Sequence, residues 1–261
     1  MCLNKFWTFT FCACLAACGG SSTSSTETAR FTTLKQFSDG AGVARGTFAD
    51  GTETVFIASN VAGVVSAANK IVDASVGATT TYRSQAFSDI PISETLSTAV
   101  VRRGTVTLAG QSVNVLIVED NSGDAGLVYL SASGGDVLTA SGAGFGTAPS
   151  GAFTYNGVHI IAERSVGGSA QTGTFSLTAD FDNKTFSYSG TTASSSLTGN
   201  GTIDTTSGRL TSSDLSSVAN GFKSSATMYG QLHGSSAQAT SGVFHTNESD
   251  PNYAGAFAGS R

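Results

Sequence analysis

The chain has 261 residues, of which only 12% are charged, and its formal net charge at pH 7 is −5. Such a chain lacks the basic face that nucleic-acid binding requires, and it is poorly suited to docking on anionic lipid headgroups. All four cysteines lie at or before position 18, which leaves the rest of the chain without a cysteine for a disulfide, a metal site or a nucleophile.

Residues 1–17 have the features of a bacterial signal sequence. Lys5 supplies a positive charge, and residues 6–17 form an apolar run that is too short to span a membrane. The run ends in Leu15-Ala16-Ala17-Cys18, which resembles the lipobox of bacterial lipoproteins. The resemblance implies cleavage before Cys18 and lipid attachment to its sulfur and its new amino group. An ordinary secretory signal that contains a cysteine is the alternative.

Residues 18–30 are predicted to be the lipidated cysteine and a flexible tether. The segment is rich in Ser, Thr and Gly and offers nothing to bury, and a tether of this type spans roughly 20 Å. Gly19 stands where inner-membrane lipoproteins of many bacteria carry Asp, so this resemblance favours the outer membrane. Removal of Lys5 with the signal leaves 12 basic and 18 acidic residues, so the predicted membrane attachment is through lipid rather than charge.

Residues 31–150 are long enough to bury a core of their own and are predicted to form a β-rich domain. The strongest hairpin signal is Asp50-Gly51, which lies between the strand-like runs Arg45–Ala49 and Thr52–Ser59. Asn60 could cap a following helix with an apolar face. The residues on that face are Val61, Val64, Val65, Ala68 and Val72.

Three further signals follow in the same domain. Thr98–Leu108 and Ser112–Glu119 flank Ala109-Gly110 and predict a second hairpin. Leu127–Ser131 predicts an additional strand. Gly134–Ser150 is rich in Gly, Ser and Ala and predicts a linker into the next domain.

Residues 151–261 predict a closed barrel. In Thr172–Phe181 apolar and polar residues alternate strictly, as in a strand with one dry and one wet face. Short connections make sequential strands antiparallel, and an even number of such strands can close without a free edge. The predicted strands are 152–163, 172–181, 184–191, 195–204, 208–213, 223–233, 236–246 and 253–260.

The polar face of these strands would be costly in lipid, so a membrane-spanning barrel is disfavoured. The predicted fold class is all-β, with a water-soluble, eight-stranded antiparallel up-and-down barrel, apolar inside, preceded by a smaller β-rich domain. A β-sandwich would show the same alternation. Phe257, between Ala256 and Ala258, is predicted to be an interior anchor of the closing strand.

The last strands carry glycine and aromatic residues at regular positions. These are Met228–Gly234, then Ser241-Gly242-Val243-Phe244, then Tyr253–Arg261, with Phe153–Gly157 at the start of the barrel. The pattern resembles the barrel of the transferrin-binding protein B family, with Leu232 and Ser241 as departures. The resemblance implies a "handle" domain before the barrel, a surface lipoprotein and a role in iron acquisition. A single handle and barrel differs from the bilobed receptors of the family.

The sequence contains no Gly-x-Ser-x-Gly elbow, no P-loop and no Gly-x-Gly-x-x-Gly, so it is predicted not to be an enzyme and to need no cofactor. His159, His233 and His245 belong to no metal motif, and strand or rim histidines are favoured over a metal or haem site. His233 shares a face with Tyr229 and Gln231, which predicts that it faces solvent.

Acidic pairs are predicted to be solvated loop charges. They are Glu119-Asp120 and Glu248 with Asp250.

The predicted function is capture of a host or environmental protein, or of an iron- or haem-bearing ligand, by a lipid-anchored module at the cell surface. The resemblance implies that loops make the contacts. The loop between the last two strands is the predicted ligand loop, with Asn247, Glu248, Asp250, Pro251 and Asn252. The alternative is a structural or assembly lipoprotein of the envelope with no ligand of its own.

Overall fold

The computed structural model describes residues 30–37, 41–47, 51–58, 90–108, 111–132, 135–163, 170–219, 221–247 and 253–261. Regular structure in these ranges is entirely β-strand, and it forms an open eight-stranded sheet and a closed eight-stranded barrel. The predicted fold class is therefore confirmed. No helix long and apolar enough to cross a membrane occurs within these ranges. The predicted lipobox with Cys18 and the predicted helix after Asn60 lie outside the described residues.

The sheet is antiparallel, with the strand order β1-β2-β3-β8-β7-β6-β5-β4. Both predicted hairpins are confirmed, since β2 pairs with β3 and β5 pairs with β6. The first strand begins at Arg30, the last residue assigned to the tether. The strands are β1 (Arg30–Gln36), β2 (Gly42–Thr47), β3 (Glu53–Ala58), β4 (Ile92–Thr95), β5 (Ala99–Leu108), β6 (Gln111–Asp120), β7 (Ala125–Ala132) and β8 (Gly135–Gly142).

Strand β8 corrects the predicted linker. Gly135–Gly142 pairs with β3 on one side and β7 on the other, at the centre of the sheet. Leu138 and Thr139 are buried on opposite faces, so neither face of this strand is exposed to solvent there. Its small residues look like linker composition in sequence, yet they suit a strand that is covered on both sides. The connection into the barrel is confined to residues 143–151.

The barrel closes because its first strand pairs with both the second and the last. Most predicted boundaries agree within a few residues, but the fifth barrel strand is longer than predicted. A bulge between Ser212 and Leu215 interrupts its period of two, which hid its second half. The strands are β9 (Ala152–Glu163), β10 (Gln171–Asp180), β11 (Thr185–Thr191), β12 (Ser195–Asp204), β13 (Arg209–Ala219), β14 (Phe222–His233), β15 (Ala239–Thr246) and β16 (Tyr253–Ser260).

Aromatic rings fill the barrel interior. Phe257 is fully buried, and its ring centroid lies 5.1 Å from those of Phe175 and Tyr188. A methyl group added at Gly242 would lie 2.6 Å from the Phe257 ring, so glycine is needed there for the ring to fit. The prediction that Phe257 is an interior anchor is confirmed.

One face of the sheet covers the outer surface of β9, β15 and β16. In these strands the outward side chains are apolar as well as the inward ones, because they form a shared core with the sheet. The outward polar face that the sequence predicts is therefore confined to the uncovered wall of the barrel, β10–β13. The outward barrel residues of the shared core are Val158, Ile160, Ala162, Ala239, Val243, Ala254, Ala256 and Ala258.

The opposite face of the sheet carries a second apolar cluster. Ile90 lies over the backbone of β5, since a methyl group added at Gly104 would lie 3.2 Å from its Cγ2 atom. The sheet thus has buried residues on both faces. The cluster consists of Ile90, Val113, Val115, Ile117, Val128 and Leu130.

Candidate functional site

The strands define two opposite ends of the molecule, which we call the linker end and the distal end. The linker end of the sheet contains Arg30, which pairs with Thr47, and also Gly142, the residue from which the chain leads into the barrel. The linker residue Phe145 forms a bridge with Gly234 there. At the distal end, β15 ends at Thr246 and β16 begins at Tyr253. The predicted ligand loop therefore connects strands whose ends lie at the distal end.

Sheet and barrel touch at the distal end through aromatic rings. Phe37, which follows β1, meets His245 edge-on with 4.8 Å between the ring centroids. The ring of Tyr229 stacks on the other side of this histidine at 6.2 Å. Side chains of both units thus pack around the buried His245 at this end.

Asn247 is the only residue of the predicted ligand loop within the described ranges. Its backbone N–H donates to the Ser225 carbonyl at 2.8 Å, and its side-chain oxygen accepts from the Thr227 hydroxyl at 2.7 Å. The side-chain amide also reaches the Ser213 carbonyl at 3.2 Å. Asn247 therefore anchors the end of β15 to β13 and β14. Glu248, Asp250, Pro251 and Asn252 lie outside the described residues.

A second polar network holds the neighbouring part of the distal rim. The Gln171 side-chain oxygen accepts from the hydroxyls of Thr192 and Ser194 at 3.0 and 2.7 Å. The Thr192 and Ser195 hydroxyls share a further bond of 2.6 Å. Hydroxyl and amide groups thus fix the β11–β12 turn to the start of β10. The described part of this rim is polar and largely uncharged.

His159 lies inside the barrel. Its Nδ1 shares a 2.7 Å hydrogen bond with the Tyr188 hydroxyl, and its ring stacks on Phe244 at 5.0 Å. Its Nε2 is buried and has no hydrogen-bond partner among the described residues. Burial lowers the pKa of His159 to about 3, so the ring is neutral at physiological pH.

His233 does not face solvent, and that prediction is wrong. Its side chain is fully buried between the barrel and the sheet. Nδ1–H donates to the Ala143 carbonyl at 2.9 Å, so the neutral ring accepts from the Ser241 hydroxyl at Nε2, 2.7 Å away. Burial lowers its pKa to about 4, although the bond to Ala143 and the charge of Asp120 act in the opposite direction.

The three histidines point to different places. His159 faces the barrel interior, whereas His233 and His245 lie on its outer surface against the sheet. No group of three His, Cys, Asp or Glu side chains in the described part of the chain could hold a metal ion. The described geometry brings no metal-binding constellation together.

The Glu119-Asp120 pair is not a solvated loop charge, and that prediction is wrong. Asp120 is buried, where it accepts from the N–H groups of Ser122 and Ala125 at 2.9 and 2.7 Å and organises the β6–β7 turn. Glu119 lies 3.8 Å from Arg102. Burial and the neighbouring Asp120 charge raise the pKa of Glu119. Both carboxylates have a structural role in the sheet.

A cluster of charged residues lies near the β1 edge of the sheet, far from Glu119 and Arg102. The sequence analysis did not identify it. Arg45 on β2 faces the barrel, and its Nη2 donates to the Gly230 carbonyl at 2.9 Å. The charges of Arg209, Glu53 and Tyr229 all act on its guanidinium. We call the group formed by Arg45, Arg209 and Glu53 the arginine crevice. The two arginines are far apart in sequence, so only strand pairing brings them together.

The chain is similar in structure to solved transferrin-binding proteins B, the family that its barrel strands resemble in sequence. The protein from serogroup B Neisseria meningitidis, isotype 1, is 16% identical with a TM-score of 0.47, over 64% of this chain and 36% of that one. A double mutant from Haemophilus parasuis Hp5 is 14% identical with a TM-score of 0.47, over 66% and 38%.

A third solved neighbour is covered to a similar extent. The intact protein designated Ap-TbpB, with N and C lobes, is 16% identical with a TM-score of 0.45, over 61% of this chain. The chain spans 38% of the length of that protein. No protein-family model matches the chain, and no curated protein matches it in sequence.

Proposed function

We propose that this chain is a lipid-anchored binding module that captures a macromolecular partner at its distal end. The observation that carries the proposal is that the chain enters the fold at one end and the predicted ligand loop lies at the other. The chain enters the sheet at Arg30 on the linker end, whereas the strands that flank the predicted ligand loop end at Thr246 and Tyr253 on the distal end.

This arrangement holds the distal end away from the point where the chain enters the fold. A strand of eight residues spans roughly 26 Å, so the distal rim stands about one strand length from the point of chain entry. If Cys18 carries lipid, the preceding tether adds roughly 20 Å. The arrangement supports presentation of the distal end to the medium on the outer face of the outer membrane.

The barrel interior supports recognition at the rim rather than inside. Phe175, Tyr188 and Phe257 occupy the lumen and are buried. Contacts with a partner therefore fall to the rim and to the adjoining sheet, where connecting segments commonly carry function. The hydrogen-bond networks around Asn247 and Gln171 fix the strand ends to which those connecting segments are attached.

The sequence resemblance supports a protein partner. The solved neighbours are transferrin-binding proteins, so transferrin is the first protein to test. A single sheet and barrel differs from an intact protein with two lobes, and for this reason haem-bearing and other host or environmental proteins belong in the same experiment. An iron- or haem-bearing partner fits the proposed role in iron acquisition.

The test is a pull-down with residues 19–261 immobilised through their amino end. Wild type is compared with a variant in which residues 247–252 are replaced by Gly and Ser. The matched control replaces the linker-end turn Asp182–Lys184 in the same way. We expect a defined partner, such as transferrin, to be retained by wild type and by the control and lost by the distal variant.

Other outcomes lead to different conclusions. Retention by the distal variant would remove this loop from the binding surface. Failure to retain any partner, together with an envelope defect on deletion of the gene, would support the structural or assembly lipoprotein instead.

The lipid anchor has a separate test. We expect the mature chain to begin at an acylated Cys18, which intact-mass measurement would show directly. The Cys18→Ala variant should remain in the aqueous phase of a detergent partition, whereas wild type enters the detergent phase. A wild-type chain without acyl mass would contradict the anchor while leaving the binding surface untouched.

A further inference from the structure

We propose that the arginine crevice binds an oxyanion, a carboxylate or a phosphate group, between the edge of the sheet and the wall of the barrel. The site is distinct from the distal end, and it goes beyond the capture function proposed above. Arg45 and Arg209 are its two cationic groups.

Strand pairing places the two guanidinium groups close together. Arg45 donates to the carbonyl of Gly230, and Gly230 pairs with Leu210, the residue that follows Arg209. Arg209 itself pairs with Gln231, the residue that follows Gly230. The head of Arg45 therefore lies beside the strand position from which Arg209 projects. Two like charges held this close repel one another unless an opposite charge lies between them.

Most of the arginine N–H groups are unused by the protein. A guanidinium has five donors in a planar fork, and Arg45 uses one of its nitrogens for Gly230. Arg209 is exposed and forms no hydrogen bond or ion pair within the described ranges. Planar forks of this kind bind carboxylate and phosphate oxygens in pairs. The crevice therefore offers donors of the right geometry for an oxyanion.

The nearest carboxylates form no ion pair with either arginine among the described residues, although the charges of Glu53 and Asp204 act on them. Glu53 forms no ion pair with either arginine in the described structure. Asp204 accepts from the Ser207 hydroxyl at 2.7 Å and from the Thr206 N–H at 2.9 Å, so it belongs to its own turn. A bound oxyanion would lie against both guanidinium groups and relieve their repulsion.

Glu53 gives an independent sign that the crevice is incomplete. Its Oε2 is buried and has no hydrogen-bond partner among the described residues. Buried polar atoms in folded proteins nearly always have a partner, so a missing one indicates a group that the protein does not supply. An oxyanion that also carries an O–H, such as a monoprotonated phosphate or a sugar acid, would donate to Glu53 while accepting from the arginines.

The electrostatic environment agrees with this arrangement. Burial lowers the pKa of Arg45 to about 10, and the charge of Arg209 acts in the same direction. Burial also raises the pKa of Glu53, although both arginines oppose that shift. A half-buried cation, Arg45, and an exposed one, Arg209, therefore lie near a carboxyl group that forms no ion pair with either of them.

The experiment measures binding of inorganic phosphate and of galacturonate to residues 19–261, with galactose as the uncharged probe. Titration calorimetry gives the affinities, and the melting temperature with and without each probe gives a second readout. We expect millimolar or tighter binding of at least one anion and none of galactose. Phosphate alone would identify a phosphate site, and galacturonate alone would identify a carboxylated sugar. Binding of neither anion would overturn the proposal.

Variants at two exposed arginines locate the site. Arg209→Gln should weaken anion binding about tenfold, the loss expected for a charge-assisted hydrogen bond, without lowering the melting temperature of the free protein. Arg209→Lys keeps the charge but loses the planar fork, so its affinity for the anion should lie between those of wild type and Arg209→Gln. Arg103→Gln removes an arginine near the other edge of the sheet, on β5, where it bonds Thr172 of the barrel, and this variant should bind as wild type does. Equal affinities in Arg209→Gln and Arg103→Gln would overturn the site.

Discussion

The imidazole of His233 rests against the backbone of Gly142, so that a methyl group added at Gly142 would lie 2.6 Å from Cγ of the histidine. This contact joins the last residue of sheet strand β8 to the last residue of barrel strand β14. The buried ring bonds Ala143 on the sheet side and Ser241 on the barrel side. The sheet and the barrel therefore meet through a hydrogen-bonded contact that is too closely packed to accept a larger residue at Gly142.

The first prediction concerns this contact. Gly142→Ala should lower the free energy of unfolding by about 1–3 kcal/mol, since the added methyl group would overlap the Asp124 carbonyl oxygen and lie 2.6 Å from the fully buried His233 ring. Gly104→Ala is the matched control, because its methyl group would approach no atom closer than the Ile90 side chain at 3.2 Å. Urea denaturation of both variants measures the difference. Equal losses at the two positions would contradict the tight fit.

The second prediction concerns pH. Burial lowers the pKa values of His159 and His233 from 6.5 to about 3 and about 4. As pH falls below 6.5 the unfolded chain takes up protons that the folded chain does not, so the free energy of unfolding must fall. Between about pH 7 and about pH 5 each histidine should remove about 2 kcal/mol. Urea denaturation across this range measures the sum.

A variant separates the histidines from other titrating groups. Burial raises the pKa values of the carboxyl groups of Glu53, Glu119 and Asp136, and their protonation in the folded chain acts in the opposite direction as the solution becomes more acidic. His233→Gln should be less stable at neutral pH and show a smaller loss on acidification than wild type. An unchanged pH dependence would exclude His233 as its source.

The third prediction concerns the barrel interior. Phe257→Ala should cost about 3–5 kcal/mol, because the ring is fully buried between Phe175 and Tyr188. Phe257→Leu leaves a smaller cavity and should cost clearly less. Thermal and urea denaturation of the two variants test the ranking. A loss below about 1 kcal/mol for the alanine variant would show that the interior collapses around the gap.

The fourth prediction concerns the barrel alone. Residues 151–261 contain every strand of the closed barrel, and we expect this fragment to melt cooperatively in circular dichroism. Its outward alanines on β16 would, however, lose their cover, so the fragment should self-associate. Ala256→Lys should reduce association in the fragment but destabilise the chain that includes the sheet, where Ala256 is buried. A non-cooperative melt would contradict independent folding.

The sequence was sufficient to predict the barrel because strict alternation and short turns leave few other arrangements. Strand β10 and its Asp182-Asn183 turn are the clearest case, and the predicted pairing with β11 is observed. Phe257 was assigned correctly because small neighbours mark a strand that holds one large interior ring.

The errors share a physical cause. Alternation distinguishes the two faces of a strand but does not show which outward face another part of the chain covers. His233 was placed in solvent for this reason, although the sheet buries it. The same cover makes Gly135–Gly142 a central strand rather than a linker. The arginine crevice depends on pairing between distant strands, and no local motif marks it.

Strand β16 has a role in the order of assembly. It pairs with both β9 and β15, and its outward alanines Ala254, Ala256 and Ala258 form part of the core shared with the sheet. It also follows the other described strands of the sheet and the barrel along the sequence. Until it emerges from the ribosome, or from a translocation pore, the barrel retains two open edges. The sheet then also lacks much of the barrel surface against which it packs. Loss of this single strand would therefore leave the barrel prone to edge pairing with other chains and the sheet with an uncovered apolar face.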